Sequence, residues 1–275
     1  MRRSQDTSGG LVDDLVRQIA TSAKYQSLDP AFVRRVVERG VDRCRDRNQA
    51  LKYARRKLHQ AYGAFAARTP ASAVRAFGRA CREPGADVRA AALIAMRAHA
   101  SAAERIAWLE PFYAQVAAWC GEPGSVADLA CGLNPLAIAW MRLPPHARYW
   151  CCDVDTELSS ALTEVADLFP VRLTATTCDL TAPAPIRAAT ALLLKTFTTV
   201  EQQVAGASRE ILLNLTCDHV IVTLPRRSLS GGRGYQDDPY AMIDAAIAGT
   251  RYQLADEAAF GTESVFHLTP AAPSS

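Results

Sequence analysis

The chain lacks the features that mark membrane, secreted and zinc-binding proteins. It has no apolar run long enough to span a bilayer, and its first residues lead into no signal-type apolar stretch. Its eight cysteines include no C-x-x-C pair, and several lie in apolar, strand-like runs. We therefore expect a cytoplasmic protein with buried free thiols, no disulfide, no metal ion and no membrane partner.

A glycine-rich phosphate-binding loop is also missing. The stretch 126–136 (Val-Ala-Asp-Leu-Ala-Cys-Gly-Leu-Asn-Pro-Leu) predicts a buried strand, a tight turn and a helix start, as at the first crossing of a doubly wound sheet. Its turn keeps one glycine, Gly132, where a dinucleotide site needs G-x-G-x-x-G. Gly132 lets a ligand approach the backbone closely. The pattern favours a cofactor without phosphate, such as S-adenosylmethionine.

Charge is divided unevenly along the 275 residues. Residues 1–100 carry 20 Lys and Arg against 9 Asp and Glu, whereas the remainder is acidic and the whole chain has a net charge of +3. Asp29 and Pro30 mark the start of one of three predicted N-terminal helices. Their basic faces suggest docking on the phosphates of folded RNA, although a solvated basic surface would have the same pattern. The candidate RNA-binding residues here are Arg34, Arg35, Arg55, Arg56 and Lys57.

Strand and helix patterns alternate from Ser125 onward. The last two strands flank Phe260-Gly261-Thr262 with no helix between them, which predicts a hairpin. We expect an α/β fold: a class I (Rossmann-like) methyltransferase sheet with a C-terminal antiparallel hairpin, preceded by an all-α N-terminal domain. The expected domains are 1–86, helical and basic, and 87–275, which binds the cofactor. The predicted strands are 125–131, 147–152, 171–178, 190–195, 219–224, 250–258 and 264–269.

Two acids follow predicted strands. Asp153 could accept hydrogen bonds from a ribose diol. Asp179 could accept one from an adenine amino group, with Leu180 covering the ring. Either acid could instead cap a helix. Asp128 lies inside the first strand and must be hydrogen-bonded there.

Cations complete the predicted site. Ser101 to Glu104 matches a capping box, and Arg105 in the first turns of that helix could bind a ligand carboxylate or lie on the surface. Lys195 could contact RNA or simply end a strand. Arg226, Arg227 and Arg233 lie in a glycine-rich loop, which is either a lid that binds RNA or an ordinary exposed loop.

The atom that accepts the methyl group is suggested by the sequence motifs that are absent near Lys195. There is no Asn-Pro-Pro-Tyr or Asp-Pro-Pro-Tyr motif for an exocyclic amine, and no cysteine pair for pyrimidine C5. Guanine N7 has a free lone pair and needs no deprotonation. We therefore predict no catalytic base, with catalysis by positioning.

The motif set resembles the aminoglycoside-resistance 16S rRNA (guanine-N7) methyltransferases over essentially the whole chain. Besides 128–136, the resemblance is carried by 57–65 (Lys-Leu-His-Gln-Ala-Tyr-Gly-Ala-Phe), 99–105 (His-Ala-Ser-Ala-Ala-Glu-Arg), 192–196 (Leu-Leu-Leu-Lys-Thr) and 225–229 (Pro-Arg-Arg-Ser-Leu). It implies a monomer in the bacterial cytoplasm that methylates a decoding-site guanine in helix 44 of the assembled 30S subunit and so confers resistance.

The same resemblance implies a cofactor site. Its residues would be Phe65, His99, Ala100, Ser101, Ala102, Ala103, Glu104, Arg105, Ala130, Gly132, Asp153, Asp179, Leu180, Leu194 and Gln203, with Arg105 on the methionine carboxylate. Two features depart from the family pattern: Ala102 stands where Thr is usual, and the 230–238 loop is short and glycine-rich. The alternatives are methylation of a neighbouring adenine at N1, or a noncatalytic ribosome-binding protein. The basic N-terminal region disfavours a small-molecule methyltransferase.

Overall fold

A computed structural model describes residues 2–63, 70–226 and 238–272. Asp29 caps the second helix by accepting from the backbone N–H groups of Ala31 and Phe32, as predicted. The helices that precede the sheet are α1 (Arg2–Ala20), α2 (Pro30–Arg43), α3 (Arg47–Leu58), α4 (Pro70–Cys81), α5 (Val88–Met96), α6 (Ala100–Arg105) and α7 (Leu109–Cys120), with a π-helical turn at His59–Gly63 and a 3₁₀ turn at Ile106–Trp108.

Within the described residues, seven strands form the main sheet, in the order β3-β2-β1-β5-β7-β9-β8. Neighbours from β3 to β7 pair in parallel, and β9 pairs antiparallel with both β7 and β8. The predicted sheet and hairpin are therefore confirmed. The strands are β1 (Ser125–Leu129), β2 (Arg148–Asp153), β3 (Arg172–Thr177), β4 (Ile186–Arg187), β5 (Thr190–Leu194), β6 (Leu215–Thr216), β7 (His219–Pro225), β8 (Tyr252–Phe260) and β9 (Glu263–Pro270), of which β4 and β6 form a separate pair.

The helices between the strands are shorter than expected. The sequence pattern over 198–214 predicts a single helix, but the chain breaks at Gly206, whose φ of +81° suits glycine. The segment after β1 is a 3₁₀ helix, Asn134–Trp140. The remaining helices are α8 (Thr156–Glu164), α9 (Thr196–Gln203), α10 (Ala207–Asn214) and α11 (Pro239–Ile247), with a 3₁₀ turn at Ala166–Leu168.

Apolar side chains form separate cores. Leu15, Ile19, Phe32, Val36 and Leu58 are among the residues that pack α1 to α3 together. Helix α4 belongs to a different core, which it shares with α5, α7 and one face of the sheet. The change of core thus falls before Pro70, whereas the domain boundary at 86 stays a prediction.

The expectation that all cysteines are free is wrong for one pair. Cys152 and Cys178 form a disulfide. Cys152 lies near the end of β2, and Cys178 follows β3, its parallel neighbour, which brings their Cα atoms to 5.7 Å. Sequence spacing does not reveal this juxtaposition. The free cysteines in the described part of the chain are Cys44, Cys81, Cys120, Cys131, Cys151 and Cys217.

Across the described residues, the helices are all too short or too polar to cross a membrane.

Candidate functional site

A cavity opens at the carboxyl ends of the parallel strands. It lies at β1, which has β2 on one side and β5 on the other. In doubly wound sheets, ligands bind at such a switch point. Predicted residues that line it are His99, Ser101, Ala102, Arg105, Ala130, Gly132, Asp153, Asp179, Leu180, Leu194, Lys195 and Gln203. These predicted residues thus share one cavity, and their binding of the cofactor stays a prediction.

The backbone at the cavity adopts conformations that non-glycine residues avoid. Ala130 has φ of +53°, Gly132 of +49° and Lys195 of +60°. Ala130 and Gly132 form the turn after β1, and Lys195 follows β5. A Cβ on Gly132 would meet the imidazole of His99 at 3.4 Å. Such strain concentrates where a fold shapes a ligand site.

Asp153 ends β2 and faces the turn after β1. Its carboxylate accepts from the N–H of Gly132 at 3.0 Å and from the N–H of Asp155 at 3.2 Å. Burial raises the pKa of Asp153 to about 6, against the opposing effect of the Gly132 N–H. Each carboxylate oxygen has a further lone pair, so Asp153 can still accept from two ligand hydroxyls.

Asp179 follows β3 and lines the cavity together with Leu180. One oxygen accepts from the backbone and the hydroxyl of Thr181, at 2.8 and 2.7 Å. The other pairs with Arg35 of α2 at 2.7 Å. The N-terminal helices thus supply a direct partner to an acid of the cavity, which the sequence did not suggest.

Arg105 is held by an acid from the other end of the chain. Its guanidinium contacts Glu263 at 3.0 and 3.2 Å, and the two side chains are 2% and 0% exposed. Lys195 pairs with Glu104 and lies 3.3 Å from Glu263. Nε of Arg105 has no hydrogen-bond partner among the described residues, although it is buried. Arg105 is therefore a cavity residue with an unused donor, not a surface arginine.

Helix α6 begins at Ala100, with His99 in the N-cap position and no side-chain cap. The predicted capping box at Ser101 is wrong, because the N-cap is His99, two residues earlier, and Glu104 pairs with Lys195. In the described structure, Ala100, Ala103 and Glu104 are not among the residues that line the cavity. Burial and nearby cations lower the pKa of His99 to about 4.

Gln203 ends α9 and joins the cavity to α3. Its side-chain N–H donates to the carbonyl of Lys57 at 2.9 Å, and Nζ of Lys57 donates to the carbonyl of Gln202. The prediction for Phe65 lies outside the described residues. Lining residues that sequence reasoning missed include Thr196, Thr199 and Val200 of α9 and Asn134 after the turn. Their position directly after β5 and β1 is the signal that could have identified them.

Asp128 is buried beside the cavity as part of a polar network. It accepts from Asn134 at 3.0 Å and from Tyr149 at 2.6 Å. The prediction that it must be hydrogen-bonded is confirmed, and both partners are side chains. Burial raises its pKa to about 7.

Comparison with known proteins places the chain in a family. The family model of the ribosomal RNA methyltransferases (FmrO) matches residues 21–267. The chain belongs to this family. It is 53% identical over 255 residues, 91% of this chain and 86% of the relative, to a protein of Micromonospora olivasterospora named 16S rRNA (guanine(1405)-N(7))-methyltransferase. A Frankia casuarinae protein of the same name is 36% identical over 262 residues, 93% of this chain and 92% of that protein.

Solved structures agree with the family assignment. The 16S rRNA methyltransferase RmtF, crystallised with S-adenosyl-L-homocysteine, is 28% identical with a TM-score of 0.81, covering 94% of this chain and 98% of that one. The 16S rRNA methylase RmtB is 26% identical, with a TM-score of 0.78 and the same coverage. The resemblance, the fold class and the assignment to the rRNA methyltransferases are confirmed.

The predicted RNA-binding cations of this rRNA methyltransferase occupy different environments. Arg55, Arg56 and Arg226 are exposed. Arg34 pairs with Asp13 on the surface at 2.6 Å. Arg35, Lys57 and Lys195 instead have partners within the protein, at Asp179, Gln202 and the Glu104–Glu263 pair. Arg227 and Arg233 lie outside the described residues, as does most of the 230–238 loop.

The chemistry of the cavity residues suits S-adenosylmethionine. Asp153 offers an acceptor for ribose hydroxyls, and Leu180 offers an apolar surface for adenine. Arg105 has a buried N–H without a partner in the described structure, as a methionine carboxylate requires. The turn after β1 has one glycine and no pyrophosphate cradle.

Proposed function

We propose that this chain transfers a methyl group from S-adenosylmethionine to N7 of a guanine in 16S rRNA. The observation that carries the proposal is the buried, partly unsatisfied Arg105, which lines the same cavity as Asp153 at the switch point, in a member of the rRNA methyltransferase family. The target corresponds to guanine 1405, the position named for its relatives.

The chemistry asks little of the protein beyond positioning. S-Adenosylmethionine supplies an activated methyl carbon, and the guanine N7 lone pair forms the new N–C bond as the S–C bond breaks. N7 carries no proton in the guanine base, so no residue has to accept one. Lys195 lies between two acids and is suited to hold charge near the acceptor rather than to act as a base.

The substrate is the assembled 30S subunit, with the target in helix 44 of the decoding site. The exposed Arg55, Arg56 and Arg226 provide cations for its phosphates. Methylation there would protect the ribosome from aminoglycosides of the gentamicin and kanamycin type. The enzyme acts as a monomer in the bacterial cytoplasm, where 30S subunits assemble.

Mapping the modified base tests the proposal. Purified 30S subunits are incubated with protein and S-adenosylmethionine, and the 16S rRNA is treated with borohydride and aniline and copied by primer extension. A new stop at guanine 1405 that depends on S-adenosylmethionine is expected. A stop at a neighbouring adenine without chemical cleavage would indicate N1 methylation instead. Cofactor binding by calorimetry without any modification would indicate a noncatalytic ribosome-binding protein.

A further inference from the structure

One cysteine and two histidines meet at the end of the sheet opposite the cofactor cavity. Cys120 ends α7, His219 begins β7 and His267 lies on β9. The sulfur and one nitrogen from each imidazole all lie within 4.8 Å of one another. The parallel strands begin at this end, whereas the cavity lies where they finish. The cluster is therefore separate from the cofactor site.

The two imidazoles already face each other. Nδ1 of His219 and Nε2 of His267 are 2.9 Å apart, whereas the ring centroids are 5.1 Å apart and the rings are inclined by 23°. A nitrogen–nitrogen distance so much shorter than the centroid distance means that these nitrogens project from the rings toward each other. Two imidazole nitrogens on a tetrahedral zinc ion lie about 3.3 Å apart, given Zn–N bonds of about 2.0 Å. A small movement of the rings would admit an ion.

The surroundings hold the cluster in place and add negative charge. The indole of Trp119 stacks on His267, with centroids 5.2 Å apart. Its N–H donates to the carboxylate of Asp256 at 2.8 Å, and Asp256 lies opposite His267 in the β8–β9 register. A carboxylate near ligating histidines orients them and favours a bound cation. His267 is 6% exposed, and Cys120 and His219 are half-buried.

We propose that Cys120, His219 and His267 form a zinc-binding site. The donor set of one thiolate and two imidazoles suits Zn²⁺, and a water molecule would complete a tetrahedral site. On binding, the thiol proton leaves to solvent, and the proton shared between the two imidazoles moves to an outward-facing ring nitrogen. The ion would fasten the end of α7 to β7 and β9. The sequence alone predicted no metal, because the three ligands come from distant elements that only the sheet brings together.

Cobalt spectroscopy on the full chain tests this site. The protein is stripped with a chelator, dialysed and titrated with Co²⁺ and then Zn²⁺. A thiolate-to-cobalt charge-transfer band and tetrahedral d–d bands should saturate at about one equivalent of Co²⁺, and Zn²⁺ should displace them. Zinc should also raise the melting temperature by about 5 °C at saturation.

Matched variants assign the ligands. Cys120→Ser should abolish the charge-transfer band and the zinc-dependent stabilisation, and His267→Gln should abolish the tetrahedral spectrum. Cys81→Ser, which removes a half-buried thiol elsewhere, should leave both unchanged. Absence of the charge-transfer band in the unmodified protein would overturn the proposal, whether or not a variant folds. A band that persists in Cys120→Ser and disappears in Cys81→Ser would also overturn it.

Discussion

Arg105 and Glu263 form an ion pair that is almost completely removed from solvent, with Nη2 and Oε2 3.0 Å apart. Lys195 and Glu104 extend it to a group of two cations and two anions at the edge of the cofactor cavity. Charges in such a setting are tolerable only while they balance, because each ion has lost its hydration. The group therefore fixes the position of Arg105.

Glu263→Gln should destabilise the protein, because it leaves two cations facing one anion. We expect the free energy of unfolding to fall by about 3 kcal/mol, measured by urea denaturation. Glu210→Gln is the matched control, since Glu210 lies 3.8 Å from Arg209 and its side chain is 58% exposed. That change should cost about 0.5 kcal/mol or less. Equal losses for the two variants would refute the idea that the buried group matters for stability.

Arg105→Lys should weaken cofactor binding selectively. Lysine can keep the charge facing Glu263 but lacks the Nε–H that is free for a carboxylate. Calorimetry should show affinity for S-adenosylmethionine reduced about 10-fold or more. Affinity for 5′-methylthioadenosine, which has no methionine carboxylate, should stay within about twofold. If both ligands weaken equally, Arg105 shapes the cavity without binding the carboxylate.

How much of this site the sequence could predict depends on the kind of contact. Asp153 and Asp179 were found because parallel strands end at one edge, so an acid that follows a strand is placed by topology alone. Glu263 was missed because its role is set by pairing between β7 and β9, which brings the C-terminal hairpin beside α6. Its only sequence signal is an acid at the start of an apolar strand. Cys152 and Cys178 were missed for the same reason, since register between β2 and β3 decides their proximity.

The basic N-terminal helices show a second limit of sequence patterning. Arg34 and Arg35 are adjacent in the chain and were assigned the same role. A helix turns by about 100° per residue, so neighbouring side chains face different surroundings. Arg34 meets Asp13 on the surface, whereas Arg35 meets Asp179 at the cavity. Periodicity identifies the apolar face of a helix but not what its other faces will contact.

Binding of S-adenosylmethionine should weaken in acid because of Asp153. The pKa of this carboxyl is about 6, so below that pH the group becomes neutral and is a poorer acceptor for ribose hydroxyls. Affinity should fall about 10-fold between pH 7.5 and pH 5, since about a tenth of the carboxyl remains ionised at pH 5. Asp153→Asn should bind weakly with little change between these pH values. A wild-type affinity that is constant over this range would show that ionised Asp153 is not required.

The neighbouring arginines of α2 offer a matched pair of variants. Arg35→Ala leaves one oxygen of the Asp179 carboxylate, whose side chain is 2% exposed, without its partner, which should disturb the cavity. We expect affinity for S-adenosylmethionine to fall about fivefold, or about 1 kcal/mol. Arg34→Ala breaks only an exposed pair and should leave cofactor affinity unchanged. If the two variants bind the cofactor alike, α2 does not influence the cavity through Asp179.

Arg55 and Arg56 should contribute to binding of the 30S subunit without affecting the cofactor. Both side chains are exposed on α3, and neither has an acidic partner among the described residues. The double variant Arg55→Ala/Arg56→Ala should weaken 30S binding. It should also make the slope of log K against log salt less steep by about 2, because a protein that has lost two phosphate contacts releases fewer counterions when it binds. Arg209→Ala, on α10, removes another partly exposed arginine and should leave the slope unchanged. A double variant with wild-type salt dependence would mean that the basic face of α3 is solvated rather than bound to RNA.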